Sequence, residues 1–462
     1  MKKSNYNVFV FHEPDRVYLG YNCVSGGLYV FSEQQYQEIE AILTSPDQAG
    51  DSIVKEKLVK GRFIIDDDLD ELQLLAVRNN TSRFNPNGLG MVITPTLNCN
   101  FDCPYCYVDR GKTNMSRETI DSLKKFFEKR LKIIDESSTC WTGGEPLLAM
   151  DIVEELNNFF RLKSEEKNKK YSSSMITNGY LLDAPMLERV LKSGIGVLQV
   201  TIDGDEHYHD RLRKTKGGKG TFAGILENVI MASRENIKII LRTNIQRDNY
   251  ESVFPLIDRL TKSGLNKDNV LYAPCMVMDV ATGKGHYCGN CFSGREFSDL
   301  EPKILEYAMK KGFKLSKQLL STTSTYCGAN TRSLFVIDAR ADVLKCWCNL
   351  GRAENNMVGY IDKEGEFRQT NLKNYIKWMA WDPIALNECK TCNVLPICMG
   401  GCMYYNVMRE TDRIDIGCSH RKYNIEEMLK LYFKFCKESG HAKLQEAGLI
   451  NIGKANPSTL DT

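Results

Sequence analysis

The sequence lacks several features that would point to particular classes of protein. It has no block of five or six like charges, and 61 Lys and Arg against 59 Asp and Glu leave a formal net charge of +2. Nucleic acid and a polybasic membrane anchor are therefore not expected as partners. No apolar run approaches the roughly 18 residues that a membrane span needs, and residues 1–6 show no signal-peptide core. We expect a cytoplasmic protein.

Cysteine, in contrast, is abundant. The 462-residue chain contains 17 cysteines within an ordinary globular composition of 42% hydrophobic and 26% charged residues, which excludes a disordered or fibrous protein. Cytosolic thiols are kept reduced, so a disulfide framework does not explain this number. Cys99, Cys103 and Cys106 form one tight group, and eight cysteines lie between Cys327 and Cys418, both included. We therefore predict two separate metal sites.

The first 86 residues are predicted to form a small α+β module with no catalytic cluster of its own. Alternating apolar residues and turn signals indicate three strands followed by three helices. The strands are predicted near 6–11, 17–21 and 28–31, and the helices near 32–43, 52–60 and 67–77. Residues 79–87 are polar, include a proline and lack apolar periodicity, so they are interpreted as a linker that makes the module separable.

Between residues 87 and 278 the pattern changes to strands that alternate with helices, in about six units. This alternation predicts an α/β fold with a parallel sheet that curves toward a barrel. In such barrels the chemistry lies on loops at the carboxyl ends of the strands. Each motif described below falls at such an end.

The chain after the barrel is less regular. Residues 279–326 are predicted to form a bridging region, and residues 327–436 combine hairpin-like strands with long cysteine-bearing loops. This irregularity indicates a fold organised by metal. Residues 425–436 are predicted to form an amphipathic helix, and residues 437–462 a weakly ordered tail.

The first cysteine group directly follows the first predicted barrel strand. In Cys99-Asn-Phe-Asp-Cys103-Pro-Tyr-Cys106, spacings of four and three let one short loop place three thiolates on three corners of an iron–sulfur cubane. The fourth iron is then left without a protein ligand. A zinc site is the alternative, but a structural zinc site takes four protein ligands, and no nearby histidine has the required spacing.

A glycine-rich motif ends the second predicted barrel strand. Its two glycines permit close backbone approach to a ligand, and Glu145 can accept hydrogen bonds from an ammonium group. The motif reads Gly143-Gly144-Glu145-Pro146. Together with the cysteine loop and its aromatic Tyr105, it resembles the radical S-adenosylmethionine (SAM) superfamily.

This resemblance implies a [4Fe–4S] cluster on Cys99, Cys103 and Cys106, whose open iron is chelated by SAM. Reductive cleavage of SAM would then give a 5′-deoxyadenosyl radical that abstracts a hydrogen atom from the substrate. Because this first step needs no general base, no catalytic residue is assigned. The resemblance also implies an external low-potential electron donor, such as flavodoxin or ferredoxin.

Polar residues follow the later barrel strands. They are available to the ribose, carboxylate and adenine of SAM, and the predicted contacts are Asn178, Thr201, Asp203 and Arg242. Each of these positions also fits a turn or a helix cap. The run from His209 to Arg213 also fits a solvated face.

The second cysteine group resembles the seven-cysteine SPASM domain, which holds two auxiliary [4Fe–4S] clusters. By that resemblance one cluster is held by Cys389, Cys392, Cys398 and Cys418, and the other by Cys327, Cys346 and Cys402. The second set needs a fourth ligand or has an open iron. Two departures from the pattern are Ala341, where glycine is usual, and the additional thiol of Cys348, which is either a ligand or a bystander. Zinc ribbons are the alternative for the paired cysteines.

The remaining cysteines fall outside these patterns. Cys288 and Cys291 lie in the bridging region, where they position a substrate, contribute to a cluster or do neither. Four more have apolar surroundings and are interpreted as small buried hydrophobic residues: Cys23, Cys140, Cys275 and Cys436.

The N-terminal module is similar to the winged-helix-like recognition element of ribosomal-peptide maturases, where a leader peptide adds a strand to an exposed sheet edge. The two cysteine groups, by their resemblances, imply three [4Fe–4S] clusters. The N-terminal module, by its resemblance, implies a radical enzyme that cross-links a ribosomally made precursor peptide. The expected bond joins a cysteine sulfur to a carbon, as in sactipeptide and ranthipeptide maturases. Carbon–carbon cross-linking, epimerisation and sulfatase-type formylglycine formation are chemically near alternatives. The non-enzymatic alternative is an iron–sulfur scaffold or electron carrier.

Overall fold

The computed structural model describes most of the chain. The described residues are 1–278, 280–282, 285–286, 290–314, 320–352, 356–408, 417–438 and 449–450. Cys288 therefore lies outside the described residues. Among the helices in these ranges, none combines the length and apolar character that crossing a membrane requires.

The N-terminal module has the predicted order of three strands and three helices, with two additional short strands. Its elements are β1 (Lys2–Lys3), β2 (Asn7–His12), β3 (Val17–Asn22), β4 (Leu28–Ser32), α1 (Glu33–Thr44), α2 (Ile53–Lys60), β5 (Ile64–Ile65) and α3 (Glu71–Phe84). Helix α1 begins at Glu33 because a capping box precedes it. The Ser32 hydroxyl accepts a hydrogen bond from the Gln35 N–H, and the Gln35 side chain accepts one from the Ser32 N–H. Strands β2, β3 and β4 form an antiparallel sheet in chain order.

The linker prediction for residues 79–87 is wrong, because α3 continues through them as far as Phe84. The polar residues that suggested a linker are in part buried: Asn79 is 1% exposed and Arg83 is 3% exposed. Arg83 donates to the backbone carbonyls of Met379 and Asn330. Those contacts are distant in sequence, so local composition did not reveal them.

The N-terminal sheet packs against helices from the other end of the chain. Alternate residues of β2 point inward, and they share one apolar core with helices near residues 294–310 and 421–438. The His12 ring lies 5.2 Å from the Phe433 ring, and the Tyr21 hydroxyl donates to the Leu320 carbonyl. The module is therefore an integrated part of the molecule, and its removal would expose an apolar face.

Residues 88–276 form the predicted parallel sheet with helices. The elements are β6 (Gly88–Ile93), α4 (Arg117–Leu131), β7 (Glu136–Trp141), α5 (Met150–Glu166), β8 (Lys170–Thr177), α6 (Ala184–Lys192), β9 (Val197–Thr201), α7 (Glu206–Leu212), α8 (Phe222–Ser233), β10 (Lys238–Ile245), α9 (Val253–Lys262) and β11 (Val270–Met276). These six strands pair in parallel in chain order, from β6 to β11. The core between sheet and helices includes Phe160, Leu198 and Leu241, all fully buried, as expected for strands covered by helices.

The second half of the chain extends this sheet, which the sequence did not predict. Its elements are β12 (Ala281–Thr282), β13 (Gly285–His286), α10 (Gly294–Lys310), β14 (Leu334–Ile337), β15 (Asp342–Leu344), β16 (Gly359–Ile361), β17 (Phe367–Gln369), α11 (Leu372–Met379), α12 (Asn387–Lys390), α13 (Leu395–Cys398), α14 (Met403–Met408), α15 (Arg421–Glu438) and β18 (Leu449–Ile450). Strand β14 pairs in parallel with β6, with Ile337 opposite Ile93, and β15 to β17 follow antiparallel. The auxiliary cysteines are thereby joined to the barrel. Strand β18 pairs with β4.

Candidate active site

The first cysteine loop follows β6 at the carboxyl edge of the sheet, as predicted. Burial raises the pKa of Cys99 to about 11 and that of Cys103 to about 12, and the neighbouring Cys106 thiol adds to both shifts. The three thiols are therefore electrostatic neighbours in a poorly solvated site. Thiols held in this way become thiolates when a metal coordinates them. The donor set fits a soft metal group.

The arrangement of these three thiols indicates which kind of metal group they can hold. Within the described part of the chain, no three His, Cys, Asp or Glu side chains are grouped closely enough to hold one metal ion. A structural zinc site takes four protein ligands, whereas the first loop supplies three thiols. An iron–sulfur cluster binds each thiolate through a different iron, which suits neighbouring but separate thiols.

The glycine pair after β7 is in close contact with the chain that leads to Cys99. A β-carbon on Gly143, whose φ is +123°, would lie 2.3 Å from the Thr94 methyl carbon. A β-carbon on Gly144 would lie 2.0 Å from the Asn98 carbonyl oxygen. Glu145 N–H donates to that same oxygen at 2.8 Å. Two glycines are needed here because the backbones touch, and this contact fixes the cysteine loop on the end of β7.

Glu145 joins the ends of neighbouring strands. It is 1% exposed, and its carboxylate accepts from the Thr177 hydroxyl at 2.7 Å and from the Asn178 N–H at 2.8 Å. Burial raises the pKa of Glu145, and these hydrogen bonds oppose the rise. Pro146 is buried at the start of the helical turn that follows. The described partners of Glu145 are protein groups, and its contact with the SAM ammonium stays a prediction.

Asn178 also contacts the cysteine loop. Its Nδ2 donates to the Asn100 Oδ1 at 2.7 Å, while its Oδ1 accepts from the Tyr180 N–H at 2.9 Å. The loop after β8 is therefore hydrogen-bonded to the segment between Cys99 and Cys103. Asn178 is 7% exposed.

A buried ion pair lies beneath Tyr105. The Tyr105 hydroxyl donates to Asp203, which is fully buried, and Arg213 donates to the Tyr105 hydroxyl at 2.7 Å. The guanidinium of Arg213 also lies 3.7 Å from the Asp203 carboxylate. Burial raises the pKa of Asp203, and the charge of Arg213 opposes the rise. The other Asp203 oxygen accepts from the Asn244 N–H at 2.9 Å.

The solvated-face interpretation of the run from His209 to Arg213 is wrong at both of its ends. His209 is fully buried and Arg213 is 7% exposed. The His209 Nδ1 accepts from the Asp203 N–H at 3.2 Å, and burial holds the His209 pKa well below its usual value. Sequence analysis missed both residues. The sequence feature that could have pointed to such residues is Tyr105, because the hydroxyl of a buried tyrosine needs a polar partner.

Thr201 and Arg242 lie side by side, because they are register partners in β9 and β10. Arg242 donates to the Asn244 Oδ1 at 2.7 Å. The nearby Cys275 thiol is the largest influence that raises the Arg242 pKa. The structure thus brings Thr201, Asp203 and Arg242 together at one strand edge. Their contacts with SAM stay predictions.

The auxiliary cysteines show two groups of electrostatic neighbours, and their assignment to two clusters stays a prediction. Burial raises the pKa of Cys327 to about 11 and that of Cys402 to about 12, and the Cys346 thiol adds to both shifts. In the other set, burial raises the pKa of Cys389 to about 12 and that of Cys398 to about 11, with contributions from Cys392 and Cys418. Cys327, Cys346 and Cys402 are far apart in sequence, whereas Cys389, Cys392 and Cys398 lie close together in sequence.

Cys348 is 7% exposed and shares a hydrogen bond with Cys346, which raises the pKa of Cys346 well above its usual value. Among the remaining cysteines, Cys23 and Cys436 are buried as predicted, whereas Cys140 and Cys275 are only partly so. Cys291 is partly exposed.

The two cysteine regions meet at Tyr107. This residue follows Cys106, and burial raises its pKa, with further contributions from the thiols of Cys348 and Cys106. Arg352 donates to both the Tyr107 carbonyl, at 2.5 Å, and the Cys348 carbonyl, at 3.1 Å. Residues 346–352 thus pack directly on residues 106–109.

Residues 93–260 match the model of the radical SAM superfamily. The cysteine-type anaerobic sulfatase-maturating enzyme of Clostridium novyi is 24% identical over 348 residues, which cover 68% of this chain and 87% of that enzyme. The structure of anSMEcpe with bound AdoMet and the Cp18Cys peptide is similar with a TM-score of 0.56 at 18% identity, covering 76% of this chain and 97% of that one. The structure of Streptococcus suis SuiB bound to its precursor peptide SuiA is similar with a TM-score of 0.52 at 13% identity. The match covers 89% of this chain and 97% of SuiB.

Residues 93–260 therefore form a radical SAM domain, and the chain is an enzyme. Members of this superfamily use SAM and a [4Fe–4S] cluster. The solved structures show that the α/β fold is shared. The alternative of an iron–sulfur scaffold or electron carrier is left without support.

Proposed function

We propose that this enzyme is a peptide maturase that removes a hydrogen atom from a ribosomally made precursor peptide and joins a cysteine sulfur to a carbon of that peptide. The observation that carries the proposal is the contact at Tyr107, where residues 346–352 pack on residues 106–109. The contact supports the proposal because Cys346, which with Cys327 and Cys402 forms the proposed auxiliary set, lies in the segment that packs beside the first cysteine loop. Hydrogen abstraction and bond formation then take place in adjacent sites.

The proposal assigns separate tasks to the cysteine sets. Cys99, Cys103 and Cys106 hold the cluster that binds SAM, and together these groups supply the radical that abstracts hydrogen. The set of Cys389, Cys392, Cys398 and Cys418 holds a closed auxiliary cluster. The three remaining ligands leave one iron for the thiolate of the substrate cysteine, which holds its sulfur close to the carbon radical.

One carbon–sulfur bond forms when the carbon loses a hydrogen atom to the radical, the cysteine thiol loses its proton, and one electron passes to the auxiliary cluster. These three changes balance the reaction. The protein residues position these groups. Gly143 and Gly144 fix the cysteine loop, and the Asp203–Arg213 pair fixes Tyr105 within it. The buried Asp203 in turn holds the end of β10 through the Asn244 N–H, next to Arg242. These contacts keep the strand ends in one arrangement when substrate enters.

Two partners complete the proposal. The leader of the precursor adds a strand to the β4 edge of the N-terminal sheet, which the described part of the chain leaves largely unpaired. A low-potential flavodoxin or ferredoxin supplies the electrons. Peptides are bound by both similar solved structures, Cp18Cys by anSMEcpe and SuiA by SuiB.

Sulfatase-type formylglycine formation is the second candidate, and the similarity to the Clostridium novyi enzyme favours it. The N-terminal module argues against it, because 98 residues precede the first cysteine loop here, whereas the sulfatase-maturing pattern has that loop near the N-terminus. Carbon–carbon cross-linking and epimerisation begin with the same hydrogen abstraction.

Mass spectrometry of a precursor peptide co-expressed with the enzyme tests the proposal. A thioether product has lost two hydrogen atoms, and its cysteine no longer reacts with an alkylating reagent. Formylglycine reacts with a hydrazide, an epimerised peptide keeps its mass, and a carbon–carbon product keeps its free thiol. Any of these three results would reject the thioether assignment. The control is the same co-expression with the Cys99→Ala, Cys103→Ala, Cys106→Ala variant, which should leave the precursor unchanged.

A further inference from the structure

The outer side of β4, away from β3, forms one edge of the N-terminal sheet. At the opposite side of the sheet, β2 and the turn after it face α15, where the Lys437 ammonium lies 2.5 Å from the Asp15 carboxylate and Phe433 contacts His12. In the described part of the chain, the segment that lies along β4 on its outer side is β18. The edge is therefore occupied by the C-terminal part of the same chain.

The pairing is antiparallel and short. Leu449 lies opposite Tyr29, and Ile450 lies opposite Leu28. Because β4 extends to Ser32, the rest of its edge has no strand partner on the outer side among the described residues. The sequence from 448 to 453, Gly-Leu-Ile-Asn-Ile-Gly, has the alternating apolar, β-branched character of a short strand.

The chain can reach this position from α15. That helix ends at Glu438, and residues 439–448 separate it from β18. A segment of this length spans up to about 35 Å when extended, whereas the edge strands of a three-stranded sheet are only about 10 Å apart. The connection therefore allows the pairing without strain on the helix.

The pairing is also weak enough to be replaced. Two register pairs form few backbone hydrogen bonds, each of which adds little net stability, and the entropy lost in ordering a chain segment opposes that gain. An extended peptide that pairs along all five residues of β4 forms more hydrogen bonds than β18 does. Such a peptide would displace the tail, and its apparent affinity would be reduced by the fraction of molecules in which the edge is occupied.

We propose that the C-terminal segment around Leu449 and Ile450 is an intramolecular occupant of part of the β4 edge, and that an extended peptide binds along the whole of β4 only by displacing it. The identification of that peptide as a precursor leader rests on the proposed function. The pairing of the C-terminal segment with β4 does not depend on the proposed function.

Hydrogen exchange of the β4 amides tests the occupancy without any peptide. The full chain is compared with a chain that ends at Glu438, and amides of β10 serve as the internal reference. We expect the amides of Leu28 and Tyr29, where β18 pairs, to lose protection by at least about threefold in the shortened chain, while β10 is unchanged. Equal exchange of Leu28 and Tyr29 in the two proteins would overturn the proposal.

A point variant covers the case in which the shortened chain folds poorly. Ile450→Pro removes a backbone N–H and disfavours strand pairing within the tail, whereas Thr459→Pro serves as the matched control. Ile450→Pro should accelerate exchange in β4 as truncation does, and Thr459→Pro should not. Equal protection of β4 in both variants would contradict the pairing.

The second measurement uses a synthetic peptide of residues 445–455 as the probe. It should bind the chain that ends at Glu438 at least about tenfold more tightly than the full chain, where the tethered tail competes. Equal affinity for the two proteins would overturn the proposal. A precursor that displaces the probe supports both the occupancy and the leader site. A precursor that binds elsewhere while the probe still distinguishes the two proteins supports the occupancy and rejects only the leader assignment.

Discussion

The first cysteine loop and the auxiliary cysteines reach similar arrangements of thiols by different routes. The first loop spans Cys99 to Cys106 and is fixed by backbone contacts with the glycine pair at the end of the adjacent strand. The auxiliary cysteines pack in two apolar clusters built from distant segments, with Cys327, Cys346 and Cys402 in one and Cys389 and Cys392 in the other. The first site should therefore be sensitive to single backbone changes, and the auxiliary sites should be separable from it.

Removal of the first set should have the largest effect. We expect the Cys99→Ala, Cys103→Ala, Cys106→Ala variant to lose all SAM cleavage and about a third of the iron, since the three proposed [4Fe–4S] clusters would hold about 12 iron atoms per chain. Iron analysis and chromatography of 5′-deoxyadenosine measure the two effects. Retained cleavage would reject the assignment of the first cluster.

Gly144→Ala should separate the backbone contact from the thiols. The added β-carbon would lie 2.0 Å from the Asn98 carbonyl oxygen, so the chain before Cys99 has to move. We expect loss of the first cluster and of SAM cleavage, with auxiliary iron retained. Gly88→Ala, whose β-carbon would meet nothing within 4 Å, is the control. Full iron and normal cleavage in Gly144→Ala would show that the glycine contact does not hold the loop.

Arg213→Met should destabilise the barrel more than it disturbs the auxiliary sets. It leaves the fully buried Asp203 carboxylate without its cation, a change that costs about 3–5 kcal/mol of unfolding free energy in comparable buried pairs. Arg211→Met is the control, because Arg211 lies in α7 and pairs with Asp248 at the surface, where the loss is below about 1 kcal/mol. Urea unfolding followed by circular dichroism measures both. Equal losses in the two variants would contradict a structural role for the ion pair.

Cys348→Ala should have the smallest effect. If the substrate thiolate binds an open iron, Cys348 is a bystander that hydrogen-bonds to Cys346, and the variant keeps its full iron content and still forms cross-linked peptide. If iron falls by about a third and product disappears, Cys348 closes the cluster. Thiolate binding at that iron would then lose its support.

The same contrast explains what the sequence could predict. The cysteine loop, the glycine pair and the alternating strands and helices are local patterns, and they predicted the barrel and the position of the first loop. The burial of Arg213, the continuation of α3 through Asn79 and the parallel pairing of β14 with β6 depend on residues far away in sequence. The polar residues Asn79 and Arg83 suggested a linker. The carbonyls of Asn330 and Met379, which accept hydrogen bonds from Arg83, are too distant in sequence for a local pattern to reveal them.

The central claim is that the first loop performs SAM cleavage and the auxiliary set at Tyr107 completes the bond. The most direct test is the Cys327→Ala, Cys346→Ala, Cys402→Ala variant, assayed with reductant, SAM and precursor for both 5′-deoxyadenosine and cross-linked peptide. We predict that 5′-deoxyadenosine still forms and that no cross-linked peptide is made. Cross-linked peptide from this variant would contradict the account.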